Sequence, residues 1–254
     1  MTGPARHLVF VSGGSSGIGA ALARAVPWEG SRVLSLSRRA AAGLEHVAVD
    51  LAEPTGWEVV AKAFAREMAG FAGERVVFFH AAGTLTPIGF AGEVDAGAYC
   101  RNVLINSAAP QILGDAFLRA AQKTRARCDL VFISSGAAHS IYEGWTSYAA
   151  GKAAVDQWTR TAGAEQARRG GRCRVLAVAP GVVETPMQAE IRKTAARDFP
   201  EVGRFVELKR AGELRAPEDA ARDIWALLAR ELPNGAVLDL RTSEGSPATP
   251  SAPS

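Results

Sequence analysis

His7-Leu8-Val9-Phe10-Val11-Ser12-Gly13-Gly14-Ser15-Ser16-Gly17-Ile18-Gly19 carries a short apolar run into a cluster of glycines, after which the chain turns helical through Ala20 to Val26. A brief apolar run bounded by turn residues reads as a strand buried on both faces. Strand, glycine loop and helix in that order begin a single doubly wound α/β fold built on a parallel sheet. Gly13 allows the tight turn, Gly17 lets backbone N–H groups approach a pyrophosphate, and Gly19 lets the helix pack on the strand, while the helix N-terminus adds partial positive charge. The loop Gly13, Ser15, Ser16, Gly17, Ile18, Gly19 therefore predicts a dinucleotide cradle.

Working outward, Arg32-Val33-Leu34-Ser35-Leu36-Ser37 forms a second strand that ends in Arg38-Arg39, about twenty residues past the loop, where the adenosine ribose is read. A carboxylate there would accept from the 2′-hydroxyl of NAD. Ser37 followed by Arg38 instead leaves room and charge for the 2′-phosphate of NADP, with Arg39 either a second ligand or a solvated charge. A third strand, Val47-Ala48-Val49, leads to Asp50-Leu51. Asp50 either accepts from the adenine amino group or caps the helix that starts near Pro54. That helix, running to Phe71, repeats Trp57, Val60, Ala61, Phe64 and Met68 as a packing face. Arg75-Val76-Val77-Phe78-Phe79 reads as a fourth strand and runs into His80-Ala81-Ala82-Gly83. Ala81, Ala82 and Gly83 let the backbone pass close to a cofactor, and His80 at the strand end reads as structural. A long helix from about Gly97 to Thr124 is interrupted by Asn102-Val103-Leu104-Ile105-Asn106-Ser107, a polar break that suggests organised water near the sheet edge.

The stretch that carries chemistry is Tyr148-Ala149-Ala150-Gly151-Lys152. Phenol and ammonium four residues apart share one helix face. Free tyrosine ionises near pH ~10, and a fixed cation nearby favours the phenolate and draws that pKa towards the working range. Ser135 follows the buried strand Leu130-Val131-Phe132-Ile133-Ser134, so its hydroxyl belongs at the carboxyl edge of the sheet, where open α/β sheets place their ligands.

With 254 residues, 48% of them hydrophobic, the chain can bury a large core, and one domain over residues 1–242 is expected. A net charge of +3 without any long basic run points to neither nucleic acid nor an acidic membrane surface, and leaves small molecules as the expected partners. Cys100, Cys128 and Cys173 are odd in number and far apart, which suits reduced core thiols and predicts no metal site. No apolar run reaches the ~18 residues of a membrane span, and no signal-peptide core is visible, so a cytoplasmic protein is expected.

The order glycine loop, Asn106, Ser135, Tyr148, Lys152, Pro180-Gly181 resembles the short-chain dehydrogenase/reductase family over nearly the whole chain. Members read T-G-x-x-x-G-I-G where this chain has Ser12 to Gly19, and N-N-A-G where it has His80-Ala81-Ala82-Gly83. The resemblance implies a Rossmann-type sheet, Ser135, Tyr148 and Lys152 as a catalytic triad, and Asn106 as a fourth member holding a proton-relay water. It further implies that Lys152 hydrogen-bonds the nicotinamide ribose, that Val183 and Thr185 after Pro180-Gly181 meet the carboxamide, and that the chain forms a homodimer or homotetramer. A closer resemblance, in Ile133-Ser134-Ser135-Gly136-Ala137-Ala138 and Ala179-Pro180-Gly181-Val182-Val183-Glu184-Thr185-Pro186-Met187-Gln188, is to bacterial benzil reductases and sepiapterin reductases. It implies NADPH-dependent reduction of a vicinal dicarbonyl. The alternatives are a 3-oxoacyl-thioester reductase, a secondary-alcohol dehydrogenase, or a non-catalytic NADP-binding redox sensor.

Ala137, Ile141, Trp145, Val182 and Met187 are the expected substrate walls, nearly all apolar, with no arginine or lysine placed to grip an anion. The helix from Tyr148 continues to about Arg169, and a strand Arg174 to Ala179 follows. Met187 to Lys209 mixes charge with scattered apolar residues and reads as a mobile lid. A last helix near Pro217 to Glu231 and a last strand, Ala236 to Leu240, complete the sheet. Ser243 to Ser254, rich in Ser, Pro, Ala and Thr, reads as a disordered tail.

Overall fold

The computed structural model describes residues 5–242; the tail expected from Ser243 onward lies outside the described residues. In chain order the elements are β1 (His7–Ser12), α1 (Gly17–Arg24), β2 (Arg32–Ser37), β3 (Glu45–Ala48), α2 (Pro54–Met68), β4 (Arg75–His80), α3 (Ala96–Val103), a π-helical turn (Leu104–Ala108), α4 (Ala109–Ala121), β5 (Arg127–Ile133), a 3₁₀ turn (Gly136–Ala138), α5 (Thr146–Arg168), β6 (Cys173–Ala179), α6 (Pro186–Ile191), α7 (Val202–Arg210), α8 (Pro217–Leu227) and β7 (Val237–Asp239). The strands form one sheet in the order β3-β2-β1-β4-β5-β6-β7, and every pairing is parallel. This is the doubly wound α/β fold that the opening strand, loop and helix predict.

The apolar runs are continuous because both faces of the sheet are covered. Successive side chains point to opposite faces, so β4 sends Val76 and Phe78 into one core and Val77 and Phe79 into the other. The first core closes against α2, α4 and α5 through Phe64, Phe117 and Val155. Phe64 packs edge-on to Phe10 at 4.9 Å and to Phe117 at 5.4 Å between ring centroids. The second closes against α1 and α8, where Trp225 packs near Phe79 and its Nε1 donates to the Leu22 carbonyl at 3.0 Å. Burying such a side chain is worth roughly 1.5–3 kcal/mol, so these layers fix the strand ends that build the site.

Three local readings differ from the structure. The third strand spans Glu45–Ala48 rather than residues 47–49; it is an edge strand paired only to β2, so burial gives it little pattern. The long helix between β4 and β5 is not uniform. At its polar break the backbone widens into the π turn, where Ala109 N–H donates to the Leu104 carbonyl. Finally, Cys128 and Cys173 are buried on neighbouring strands, but Cys100 is exposed on α3 and is no core thiol, because its helix face looks outward. Among the described residues no helix is long and apolar enough to cross a membrane, and no group of side chains could hold a metal ion.

Candidate active site

The carboxyl ends of the central strands open into one cleft of ≈ 540 Å³. It lies outside β1 and β4, where the strand order reverses and such sheets take their ligands. Every residue expected to hold the dinucleotide, from Gly13 to Thr185, lines it. The loop fits a pyrophosphate. Gly13 stands at φ +70°, and a Cβ there would lie 3.0 Å from the Ala82 backbone. A Cβ on Gly19 would come within 2.4 Å of the Gly13 carbonyl oxygen. Ser16, the N-cap of α1, makes no side-chain capping hydrogen bond, so the first N–H groups of the helix face the cleft without a side-chain acceptor, as an anion site requires. Ser12, standing where the family pattern has threonine, accepts from the Ala81 and Ala82 N–H groups at 3.1 Å each, so the missing methyl costs the loop no hydrogen bond.

At the adenosine end, the Ser37 hydroxyl donates to the Arg39 carbonyl at 2.7 Å, which shapes the turn that carries Arg38 and Arg39 to the cleft. Both arginines are exposed. Asp50 does not cap α2, whose N-cap is Glu53. Its Oδ1 accepts from Ala52 N–H at 3.0 Å instead, and its Oδ2 from Arg101 at 3.1 Å. Arg101, a cleft residue that no local pattern marks, thus holds the adenine-side carboxylate. These groups fit a nicotinamide dinucleotide.

Ser135, Tyr148 and Lys152 converge on the same cleft. Ser135 caps the 3₁₀ turn after β5, its Oγ accepting from Ala137 N–H at 3.2 Å, and it is the neighbour that favours ionisation of the Tyr148 phenol. Lys152 donates to the Ile133 carbonyl at 2.8 Å, and its Nζ lies 5.6 Å from the Tyr148 ring centroid. The expected lowering by Lys152 is not what sets the direction: desolvation of a buried phenol raises the pKa, and Ser135 opposes it. The ammonium itself is pushed down to about 8 by burial, with Asp156 opposing. His80 is buried and held neutral, its pKa lowered to about 3 by burial and then by the Lys152 charge, which suits the structural role expected of it.

Asn106, the residue expected to hold a proton-relay water, has its side chain bonded to the loop after β4. It sits on the π turn, 1 % exposed, and does not line the cleft, whereas Ile105 does. Its Oδ1 accepts from Thr84 N–H at 3.1 Å, and its Nδ2 donates to the Thr84 carbonyl at 2.7 Å and to Asn102 Oδ1 at 2.8 Å. With Asn102, which donates to the Thr84 and Thr86 carbonyls, it pins the loop after β4. Both Asn106 Nδ2 hydrogens are thereby engaged, and a relay water would have to meet an oxygen of this residue.

On the substrate side, Ala137, Trp145, Val182 and Met187 line the cleft as expected. Ile141 does not: it is 95 % exposed, because the chain turns there and presents Tyr142 to the cleft in its place. The segment from Met187 to Lys209 folds into α6 and α7 and packs Ile191, Phe199 and Phe205 against Leu85, Trp145 and Tyr148 as a third apolar cluster. Trp145 stacks on Phe199 at 4.5 Å and 6°. The cap is tied down where Glu184 meets Arg192 at 3.0 Å and Lys209 at 3.1 Å, so it is a packed cover rather than the loose lid its composition suggests. The expected absence of a cation is also corrected. Arg241, just past β7, reaches the cleft wall beside Gly136 and Gly181, with its charge met by Asp239.

Residues 7–196 match the family model for short chain dehydrogenase. The chain is 32% identical over 242 residues to a benzil reductase ((S)-benzoin forming) of Bacillus cereus, covering 91% of this chain and 97% of that protein. Among solved structures, a short-chain dehydrogenase/reductase from Saccharomyces cerevisiae superposes with a TM-score of 0.81 at 24% identity, covering 93% of this chain and 97% of that one. A candidate NAD(P)-dependent gluconate 5-dehydrogenase from Beutenbergia cavernae, with NADP bound at low occupancy, superposes with a TM-score of 0.74 at 27% identity, over 93% and 97%.

Proposed function

The chain belongs to the short-chain dehydrogenase family and is a carbonyl reductase of it, and from that premise we propose that it uses NADPH to reduce one carbonyl of a neutral vicinal diketone to the hydroxyketone. The observation that carries the substrate reading is the apolar cover: Trp145, Phe199 and Phe205 close over Tyr148, and an aryl or alkyl ketone gains burial there that a charged acid or a long thioester carrier does not. Arg241 does not change this, because its charge is already met by Asp239. The benzil reductase of Bacillus cereus is similar over almost the full length and supports the same substrate class.

When bound, the nicotinamide cofactor supplies a hydride to the carbonyl carbon. The chain does the rest. Ser135 and Tyr148 hydrogen-bond the carbonyl oxygen and stabilise the charge it develops, and Tyr148 donates its phenolic proton to that oxygen. Lys152 keeps positive charge beside the phenol and holds the cofactor ribose. Asn106 and Asn102 fix Thr84, and with it Gly83, whose added Cβ would lie 3.1 Å from Asn106 Oδ1 and 3.8 Å from Lys152 Nζ. Arg38, exposed at the end of β2, reads the 2′-phosphate.

A kinetic panel tests the proposal. With NADPH, benzil, 1-phenyl-1,2-propanedione and 2,3-butanedione should be reduced with higher kcat/KM than acetoacetyl thioesters or 2-keto acids. Preference for the thioester, or no diketone turnover, would overturn the substrate reading.

A further inference from the structure

One carboxylate behind the catalytic groups has no part in the mechanism above. Asp156 lies one helical turn after Lys152 on α5 and is 1 % exposed. Its Oδ1 accepts from the Ser134 hydroxyl at 2.5 Å and its Oδ2 lies 2.8 Å from His139 Nε2. Those two partners flank Ser135 in sequence, Ser134 directly before it and His139 directly after the 3₁₀ turn that Ser135 caps. We propose that Asp156 is a positioning residue of the active site: from the helix that carries Tyr148 and Lys152 it clamps both flanks of Ser135, and it sets a carboxylate one helical turn beyond Lys152.

A buried carboxylate is costly unless it is paired and hydrogen-bonded. The two groups that meet Asp156 are a strand-end hydroxyl and a histidine ring, both belonging to the segment that must be held in register with the helix carrying Lys152. Burial raises the Asp156 pKa, and Ser134, then His139 and Arg160, oppose that rise. The charged groups around the network are Lys152 and Arg160 on the same helix, His139 from the loop, and Asp239 at the end of β7, which also acts on His139 and is itself paired to Arg241. Lys152 donates to the carbonyl of Ile133, the residue before Ser134, so the helix grips the serine segment at the main chain as well as through Asp156.

The inference rests on the reading of Ser135, Tyr148 and Lys152 as the catalytic groups, and two measurements separate its failure from that of the reading. The first is kcat against pH with NADPH and benzil for the wild type, Asp156→Asn, Ser134→Ala and His139→Gln. An opposite charge within several ångströms moves a pKa by about one unit or more. Asp156→Asn should therefore move the alkaline limb down by about one pH unit and lower kcat about fivefold more at pH 8 than at pH 6, with KM for NADPH unchanged. Ser134→Ala and His139→Gln keep the carboxylate, so kcat should fall several-fold with the limb in place; they also serve if Asp156→Asn does not fold. A loss equal at all pH values in Asp156→Asn, or full activity in all three variants, overturns the proposal. The second is NMR titration of the Lys152 ammonium without substrate, isolated by difference from Lys152→Arg. Its deprotonation should shift to lower pH in Asp156→Asn, and an unchanged titration overturns the charge role even if no diketone is ever reduced.

Discussion

In the proposed mechanism Tyr148 is the proton donor, and burial, which raises its pKa, keeps the phenol protonated until a carbonyl is reduced. Carbonyl reduction needs a proton delivered to the oxygen, and the phenol is the group assigned to deliver it. Tyr148→Phe should therefore lower kcat by at least ~10²-fold, the usual worth of general acid catalysis, with NADPH affinity retained in a fluorescence titration. Lys152, pushed down to about 8 by burial, is charged below that pH and neutral above it. Reduction measured as kcat/KM should hold level up to about pH 8 and fall as pH rises through it; a profile that climbs there would contradict the role given to the ammonium. Arg38 belongs to the same scale. A charge-assisted hydrogen bond contributes ~1.5–3 kcal/mol, so Arg38→Ala should raise Kd for NADPH by roughly ten- to hundredfold and leave NADH little changed. Equal loss with both cofactors would assign the 2′-phosphate to another group.

At the scale of elements, the glycine loop is a contact between β1 and α1 with no room for a methyl group. Gly19→Ala would set a Cβ 2.4 Å from the Gly13 carbonyl oxygen, and backbone has to yield. The strain of overpacking is ~1–3 kcal/mol, and where the loop carries it into the bound state NADPH affinity should fall about five- to 150-fold, which titration of the folded variant measures. The π turn is a second such device. A regular helix spans residues 97–124 on propensity alone, yet buried Asn102 and Asn106 find their partners on Thr84 and Thr86 only where the backbone widens at Leu104–Ala108. Such turns sit at functional sites because they re-aim side chains. Here the sequence displayed the polar break but not its partner, because a loop on the far side of β4 supplies it.

Across the whole molecule, one sheet brings its carboxyl ends into a single cleft, and the residue that stands between core and site is His80. Its imidazole is buried with Phe78 and Phe132 around it and its pKa is about 3 against 6.5 in the open chain. The unfolded state binds the proton first, so the stability this residue confers is complete above pH about 6.5 and drains as pH falls towards about 3. His80→Asn should accordingly flatten the acid limb of unfolding free energy, measured by urea denaturation, with the difference from wild type confined to below pH about 6.5. A difference that persists unchanged at pH 8 would mean packing, not protonation, separates the two proteins.

The sequence by itself determined the strands, because burial on both faces leaves continuous apolar runs, and it determined the cofactor loop and the Ser135, Tyr148 and Lys152 set, because each needs particular residue types at fixed short spacing. The third strand was read only approximately, since an edge offers little burial to pattern it. Tertiary structure alone decided what meets across the cleft. Ile141 and Tyr142 are neighbours in the chain, and only the direction of one turn puts the first in solvent and the second on the wall. Arg241 and Phe205 reach the site from distant segments, Phe199 backs Trp145 from behind, and Asp156 finds Ser134 and His139 across the gap between α5 and the end of β5. Periodicity fixes which face of an element is buried; which other elements that face meets depends on how the whole chain closes.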